Sequence, residues 1–246
     1  MSHQSRFKLG KLSARRDPRN LKYKSYAASL PPPPLSVDWT KKVPDWGMYL
    51  NDQLGICTIA AVMHNLMLWS SLASTEFIPT DAQALEAYSA ITGYTPTDSS
   101  TDTGACESDV LSYWKETGIA GKKISAYVSV NQNKLQEIKS AIALFGAVYA
   151  GVQLPDTAED EFQAGKPWDN LKGTIVGGHA ITLVGYTPDY VTCVTWGKTQ
   201  LISYPWLGCF LDETHAVLSP DWISADNLSP SGFNVSQLQL DLNLLT

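Results

Sequence analysis

Cys57 carries the first chemistry that the sequence suggests. It stands at the beginning of a segment with helical periodicity, directly after Gly55 and Ile56. The free N–H groups and the positive end of a helix dipole stabilise a thiolate, so we expect this position to lower the thiol pKa and to favour nucleophilic attack. Gly55 lets the chain turn sharply before the helix. The alternative is a buried cysteine that starts a helix without a chemical role.

His179 is the matching base. It lies between Gly178 and Ala180, and the apolar segment that follows ends at Gly185. His179 comes 122 residues after Cys57, so only the tertiary fold can bring the two together, as in cysteine–histidine enzymes. In such a pair the imidazole takes the thiol proton and later returns it to the leaving group. The two residues therefore predict attack on a carbonyl carbon.

Helical patterns come first along the chain and strand patterns second. Apolar residues recur at helical spacing in residues 55–74, 82–91, 108–117 and 133–145. Short runs rich in Val, Ile, Thr and Tyr predict strands over residues 147–154, 179–186, 190–196 and 214–218. This order predicts an α+β domain over residues 35–246, with a helical half at about 35–145 and a β half at about 146–246. A cleft between the halves is the natural place for the chemistry.

A basic arm precedes this domain. Residues 1–30 hold eight Lys or Arg against one acid, whereas the rest of the chain has ten basic and 23 acidic residues. Four prolines at 31–34 then form a stiff spacer. Because the arm is basic and the body acidic, we expect residues 1–34 to dock on the body, across the cleft or elsewhere, or to bind an acidic partner. It has no recognisable nucleic-acid-binding motif, so nucleic acid is not expected as a partner.

Several classes of protein are disfavoured by composition and motifs. No run of about 18 apolar residues is present, so we expect no membrane span, and the N-terminus lacks the apolar core of a secretory signal. A cytoplasmic or virus-particle location is therefore expected, with the four cysteines reduced. The sequence has no CxxC pair, GxGxxG or P-loop, so neither a metal nor a cofactor is expected. His215 ends the run Asp212-Glu213-Thr214-His215, which has metal-binding residue types, but its spacing favours a strand edge.

The segments around Cys57 and His179 resemble those of papain-like cysteine peptidases. That family has a Gln six residues before its Cys, a Gly two before and a small residue four after, where this chain has Asn51, Gly55 and Ala61. Residues 36–39 resemble the start of a mature enzyme, and residues 143–152 resemble the helix-to-strand passage before the His. The resemblance covers about residues 35–200. It implies a papain-like fold, in which a central Cys-bearing helix packs against an antiparallel β-sheet half.

A closer resemblance says less about activity. Residues 51–58 read Asn-Asp-x-x-Gly-x-Cys-Thr and residues 195–197 read Thr-Trp-Gly. Both segments are similar to a group of poorly described bacterial and phage proteins. Thr58 also stands where papain-like enzymes have an aromatic residue after the Cys.

The resemblance also assigns roles to polar residues near the pair. Asn51 takes the place of the Gln that donates to the oxyanion, with Gln53 as the alternative donor and the Cys57 backbone N–H as the second one. Counting sixteen residues from His179 assigns the orienting position to Thr195, whose hydroxyl can accept a hydrogen bond from the imidazole.

Other orienting residues remain open. Alignment on the Trp-Gly pair instead puts Val194 at this position, and Asp189 and Asp212 are further alternatives.

Losing an oxyanion donor typically costs about 10²–10³ in rate, so the replacement of the family's Gln by Asn51 bears directly on activity.

Two functional hypotheses follow. The first is a cysteine peptidase or related amide-bond hydrolase that acts on a peptide or protein substrate through Cys57 and His179. The second is a weak or inactive papain-like protein with a structural or binding role, for example in a phage particle. The missing orienting Asn and the basic arm motivate the second hypothesis, and the paired Cys and His segments motivate the first.

Overall fold

The computed structural model describes residues 7–15, 22–24, 32–73 and 76–222. Part of the basic arm, Pro31 and the last 24 residues of the predicted β half lie outside the described residues. Within the described part, no helix combines the length and the apolar character that a bilayer crossing requires.

Six helices are present in the described residues: α1 (Cys57–Leu72), α2 (Asp81–Thr92), α3 (Glu107–Glu116), α4 (Leu135–Phe145), α5 (Asp156–Gln163) and α6 (Tyr204–Phe210). Every residue of α1 from Cys57 to Ser70 is buried, so this is the central helix of the fold. Helix α2 begins with a capping box between Thr80 and Gln83, which satisfies free N–H groups of the first turn. Gly93 follows the last residue of this helix, and its φ of +77° favours glycine.

In the part of the chain that the structure describes, seven strands form one sheet: β1 (Val37–Asp38), β2 (Ala126–Ser129), β3 (Val148–Pro155), β4 (Ile175–Tyr186), β5 (Tyr190–Thr195), β6 (Lys198–Ser203) and β7 (Leu211–Leu218). Their order is β2-β7-β3-β4-β5-β6, with β1 on β4, and every pairing is antiparallel. Strand β4 is the longest, and it carries His179 opposite Val152 of β3.

Alternate residues of the sheet face two separate hydrophobic cores. One face, with Tyr149, Ala180 and Val184, packs against α1, α2 and α3. The other face, with Ile181 and Leu183, packs against α4, α5 and α6. This alternation follows from the two-residue period of a strand, and it places α1 directly against the strand that carries His179.

The predicted α+β class and the antiparallel sheet half are confirmed. The division near residue 146 is not strict, because β1 and β2 precede it and still belong to the sheet. Trp222, near the end of the described chain, also returns to the α1 side of the core. Short strands of two and four residues carry too little periodicity to be recognised in sequence.

Candidate active site

Cys57 is the first residue of α1 and lies at the base of the cleft between α1 and β4. Its sulfur receives backbone hydrogen bonds from Ala180 of β4 and from Gly10 of the arm. The turn before it is held by Asp102, whose carboxylate oxygens accept from the Gly55 N–H at 3.0 and 3.1 Å. Tyr88 donates to the same carboxylate at 2.6 Å. These bonds fix the entry of the chain into α1.

His179 is held by the hairpin that follows it in the sheet. Its Nε2 lies 2.7 Å from the Thr195 hydroxyl, and its ring stacks on Trp196 at 4.7 Å between centroids. Trp196 and Gly197 form the two-residue turn between β5 and β6, with φ of +45° and +71°. A left-handed Trp costs about 1–2 kcal/mol, so the fold keeps an unfavourable backbone where the indole supports the imidazole.

The Thr195 contact leaves the other ring nitrogen of His179 free. Among the described residues, Nδ1 is buried and has no hydrogen-bond partner. When Nε2–H donates to Thr195, Nδ1 carries the lone pair that a base requires.

Burial controls the protonation of both groups. The Cys57 side chain is buried, which raises the pKa of the thiol to about 11 in spite of the two backbone hydrogen bonds. Burial likewise lowers the pKa of His179 to about 3. The lowered thiol pKa expected from the helix start is therefore wrong for this form of the protein, because desolvation outweighs the helix dipole. Both groups are neutral here.

The arm contributes to this burial. Residues 7–12 run through the cleft and bond to both of its walls. On the helical side, the Asn51 carbonyl accepts from the Lys8 N–H at 3.2 Å. The Ala105 N–H donates to the Gly10 carbonyl at 2.8 Å, and the Ala105 carbonyl accepts from the Leu12 N–H at 2.9 Å. On the sheet side, the Gly178 carbonyl accepts from the Lys11 N–H at 3.1 Å.

The arm fits the cleft closely at two positions. Phe7 stacks on Trp196 at 4.5 Å. A Cβ at Gly10 would lie 1.7 Å from the Gly55 carbonyl oxygen. Only glycine fits beside the thiol, so the arm is seated in one register.

Lys11 places its side chain in a buried acidic pocket, which we define by Glu107, Asp212 and Glu213. The Lys11 side chain is fully buried, and Nζ lies 3.0 Å from Asp212 Oδ2 and 2.7 Å from Glu213 Oε1. Burial alone would lower the pKa of Lys11, but the charges of Glu107, Glu213 and Asp212 raise it to about 12. The ammonium is therefore charged.

The other predicted oxyanion and orienting residues lie in different environments. Asn51 is buried, and its Nδ2 donates to the Lys8 carbonyl at 3.0 Å and to the Leu54 carbonyl at 3.3 Å. Gln53 is exposed. Asp189 is exposed in the β4–β5 turn, and Asp212 bonds to Lys11 and Gln153. Of the proposed orienting residues, Thr195 is the one in contact with His179.

Two other histidines have separate environments. His64 is buried in α1, with Nε2 3.1 Å from the Gly47 carbonyl oxygen. His215 is buried in β7, with Nδ1 3.3 Å from Glu107 Oε2, and burial lowers its pKa to about 4. Ligand atoms of Glu107, Glu213 and His215 lie within 4.8 Å of one another, which suits a metal ion. The Lys11 ammonium pairs with Glu213 in that cluster.

Sequence reasoning did not assign Gly10, Lys11, Asp102, Glu107 or Trp196 to the site. The pairing of Lys11 with Asp212 spans 201 residues, and no local pattern reports such a contact. Trp196 had a signal, since a Trp-Gly turn between two β-rich runs predicts a hairpin next to Thr195.

Solved structures show which fold this arrangement belongs to. Xylellain, a cysteine protease from Xylella fastidiosa, superposes with a TM-score of 0.64 at 19% identity, over 89% of this chain and 98% of that one. The fold is that of the papain-like cysteine proteases.

Two further structures share the fold. ProCathepsin B S9 from Trypanosoma congolense gives a TM-score of 0.62 at 12% identity, over 87% of this chain and 86% of that one. A cysteine protease of Carica candamarcensis gives a TM-score of 0.53 at 17% identity, over 76% of this chain and 99% of that one. No family model matches the sequence, and no curated protein is significantly similar to it. At these identities the likeness shows the fold, and activity has to be argued from the site.

Proposed function

We propose that this chain is a cysteine peptidase or a related amide-bond hydrolase, held latent by its own arm. One observation carries the proposal: a peptide segment, residues 7–12, lies across the Cys57 thiol and bonds through its backbone to both walls of the cleft. A cleft that holds a peptide main chain next to a thiol and an imidazole suits acyl transfer from a peptide.

In the proposed reaction, Nδ1 of His179 takes the Cys57 proton and the sulfur attacks the carbonyl carbon of the substrate. The tetrahedral intermediate collapses, and His179 returns the proton to the leaving amine. Water then attacks the thioester with His179 as base, which releases the acid and restores the thiol. With Nε2–H donating to the Thr195 hydroxyl, Nδ1 carries the lone pair and is available as the base.

The oxyanion would be bound by Asn51 Nδ2 and the Cys57 backbone N–H. Asn51 already donates to a peptide carbonyl, that of Lys8, at 3.0 Å, so its shorter side chain reaches a main chain in the cleft. Gln53, being exposed, is the weaker choice.

The arm explains why the pair is inactive in this form. A neutral thiol under a bound peptide is a poor nucleophile. Displacing residues 7–15 would admit water, relieve the desolvation that raises the thiol pKa, and open the cleft to substrate.

The proposal is tested by alkylation in the double variant Gly10→Ala/Lys11→Ala, which loses the fit of the arm and its ion pairs. We expect iodoacetamide to modify Cys57 at least about tenfold faster than the exposed Cys209, as read by peptide mass spectrometry. His179→Ala in the same background should remove this advantage, and Cys57→Ser should abolish peptide hydrolysis. Equal, slow labelling of Cys57 and Cys209 in the double variant would contradict a catalytic thiol.

A further inference from the structure

The acidic pocket receives the side chain of Lys11, while the cleft walls hold the main chain around it. Both walls of the cleft bond to the main chain around Lys11, which places any residue at that position with its side chain towards the pocket. The side chain then passes Gly151, where a Cβ would lie 1.8 Å from Lys11 Cε. The missing side chain at Gly151 therefore opens the path by which a long side chain enters.

A β-bulge brings the two carboxylates to one place. Gly151 of β3 pairs with Glu213 of β7, and the next residue of β3, Val152, pairs with Leu211. Asp212 is therefore an extra residue in β7. In a regular strand adjacent side chains point to opposite faces, but a bulge re-aims one of them. Asp212 and Glu213 can thus both reach the Lys11 ammonium, at 3.0 and 2.7 Å.

Beside the Lys11 ammonium, the pocket still contains acceptors without a partner. Glu107 is fully buried, and within the described chain Glu107 Oε1 and Asp212 Oδ1 are buried without a hydrogen-bond partner. Burial and the neighbouring charge of Glu107 raise the pKa of Glu213 to about 7, which reflects the cost of keeping these acids together. Three acids this close together, with the Asp212 and Glu213 side chains only 21% and 11% exposed, favour an ammonium or guanidinium that brings its own hydrogens.

We propose that this acidic pocket is the specificity pocket of the enzyme, which selects substrates with Lys or Arg close to the scissile bond. Gly10, next to Lys11, touches the Cys57 sulfur, so a side chain in the pocket belongs to a residue near the attacked carbonyl. The arm fills the pocket with Lys11 until it is displaced. This inference rests on the proposed hydrolase function for its catalytic part, whereas the selection of a basic side chain is a binding property.

Binding tests the pocket separately from catalysis. The full chain with Gly10→Ala/Lys11→Ala is titrated with a fluorescent peptide that has the sequence of residues 7–15, and with the same peptide carrying norleucine in place of its central Lys. Norleucine keeps the methylene length and removes the charge. We expect the Lys peptide to bind at least about tenfold more tightly by fluorescence anisotropy. Equal affinities, or no binding of either peptide, would overturn the proposal.

Pocket variants assign the difference to the acids. Glu213→Gln should reduce the Lys-to-norleucine affinity ratio towards one, and Asp212→Asn is a second variant should the first fail to fold. Glu116→Gln, an exposed acid of α3, is the matched control and should leave the ratio unchanged. A ratio that survives both pocket substitutions would show that the selectivity arises elsewhere.

Hydrolysis of fluorogenic peptides then separates the two proposals. Faster cleavage of peptides with Lys or Arg, lost in Glu213→Gln, supports both. Cleavage without a basic preference overturns the pocket and leaves the hydrolase. A basic preference in binding, with no cleavage of any peptide, keeps the pocket and overturns the hydrolase.

Discussion

Thr195 holds His179 through a single uncharged hydrogen bond, at 2.7 Å from Nε2. Both partners are buried, so removing the hydroxyl would leave a buried ring nitrogen unpaired, at a cost of about 1–3 kcal/mol. The ring would also lose the hydrogen bond that orients it, and its stacking on Trp196 would remain.

We therefore predict that Thr195→Val lowers kcat/KM of the arm-displaced protein by about 10²-fold, because a misplaced imidazole loses its alignment with the thiol. Thr195→Ser keeps the hydroxyl and is the control, with a much smaller loss expected. Peptide hydrolysis and thermal unfolding are measured for both. Equal activity of the Val and Ser variants would show that the hydroxyl does not orient the ring.

Cys57 gives a prediction for pH. Its pKa of about 11 in the closed form stands above the ordinary value of 9.0, so folding holds the thiol proton more tightly than the unfolded chain does. Stability from this group is fully present below about pH 9 and is lost as the pH rises through about 11. Alkylation of Cys57 in the unaltered chain should accelerate about tenfold per pH unit up to about pH 11. A rate that levels off near neutral pH would contradict a protonated, buried thiol.

At the scale of elements, the arm behaves as a strand-like segment that the cleft binds from both sides. Its tightest position is Gly10, where a Cβ would meet the Gly55 carbonyl at 1.7 Å. Backbone atoms on both sides of that contact leave no flexible group that can move aside.

We predict that Gly10→Ala alone releases the arm and exposes the Lys11–Leu12 bond to trypsin. Cleavage there should be at least about tenfold faster than in the unaltered chain, since local opening governs proteolysis of a docked segment. Lys8→Ala, which removes an exposed side chain and keeps the backbone bonds, is the control. Equal protection of the Gly10→Ala and Lys8→Ala variants would show that the arm tolerates a side chain at this position.

Elements with strong local signals were predictable from the sequence. Helix α1 was expected over residues 55–74 and spans Cys57–Leu72, and α4 and β3 were expected within two residues of their observed bounds. Helices α5 and α6 and strand β6 were not predicted. Helix α5 is short and largely polar, and α6 begins after Ser203 with Tyr-Pro. The acidic pocket was predictable only in part: Asp212 and Glu213 are neighbours in sequence, but Glu107 of α3 meets them through tertiary structure alone.

At the scale of the whole molecule, Trp222 joins the end of the described chain to both the helical core and α4. Its side chain is 1% exposed, its Nε1 donates to the Leu144 carbonyl at 2.8 Å, and its ring meets Trp39 edge-on at 5.4 Å. Together these contacts connect segments on both sides of the boundary near residue 146.

We predict that Trp222→Ala lowers the free energy of unfolding by about 3–5 kcal/mol, the usual cost of emptying a large buried site. The transition should stay single, because the helices and the sheet share β1, β2 and this indole. Trp222→Phe keeps most of the apolar volume and should lose less. Two separate transitions in chemical denaturation would show that the halves unfold independently.

The bulge at Asp212 has an evolutionary consequence. Because Gly151 pairs with Glu213 and Val152 with Leu211, Asp212 is a supernumerary residue, and its deletion would leave the pairing on either side in register. One of the three acids of the pocket can therefore be gained or lost by a change in chain length rather than by substitution, with the strand otherwise intact. With the pocket acting as proposed, homologues that differ by one residue at this point would differ in the charge of the peptides they accept, and an engineer could shift preference by the same single deletion.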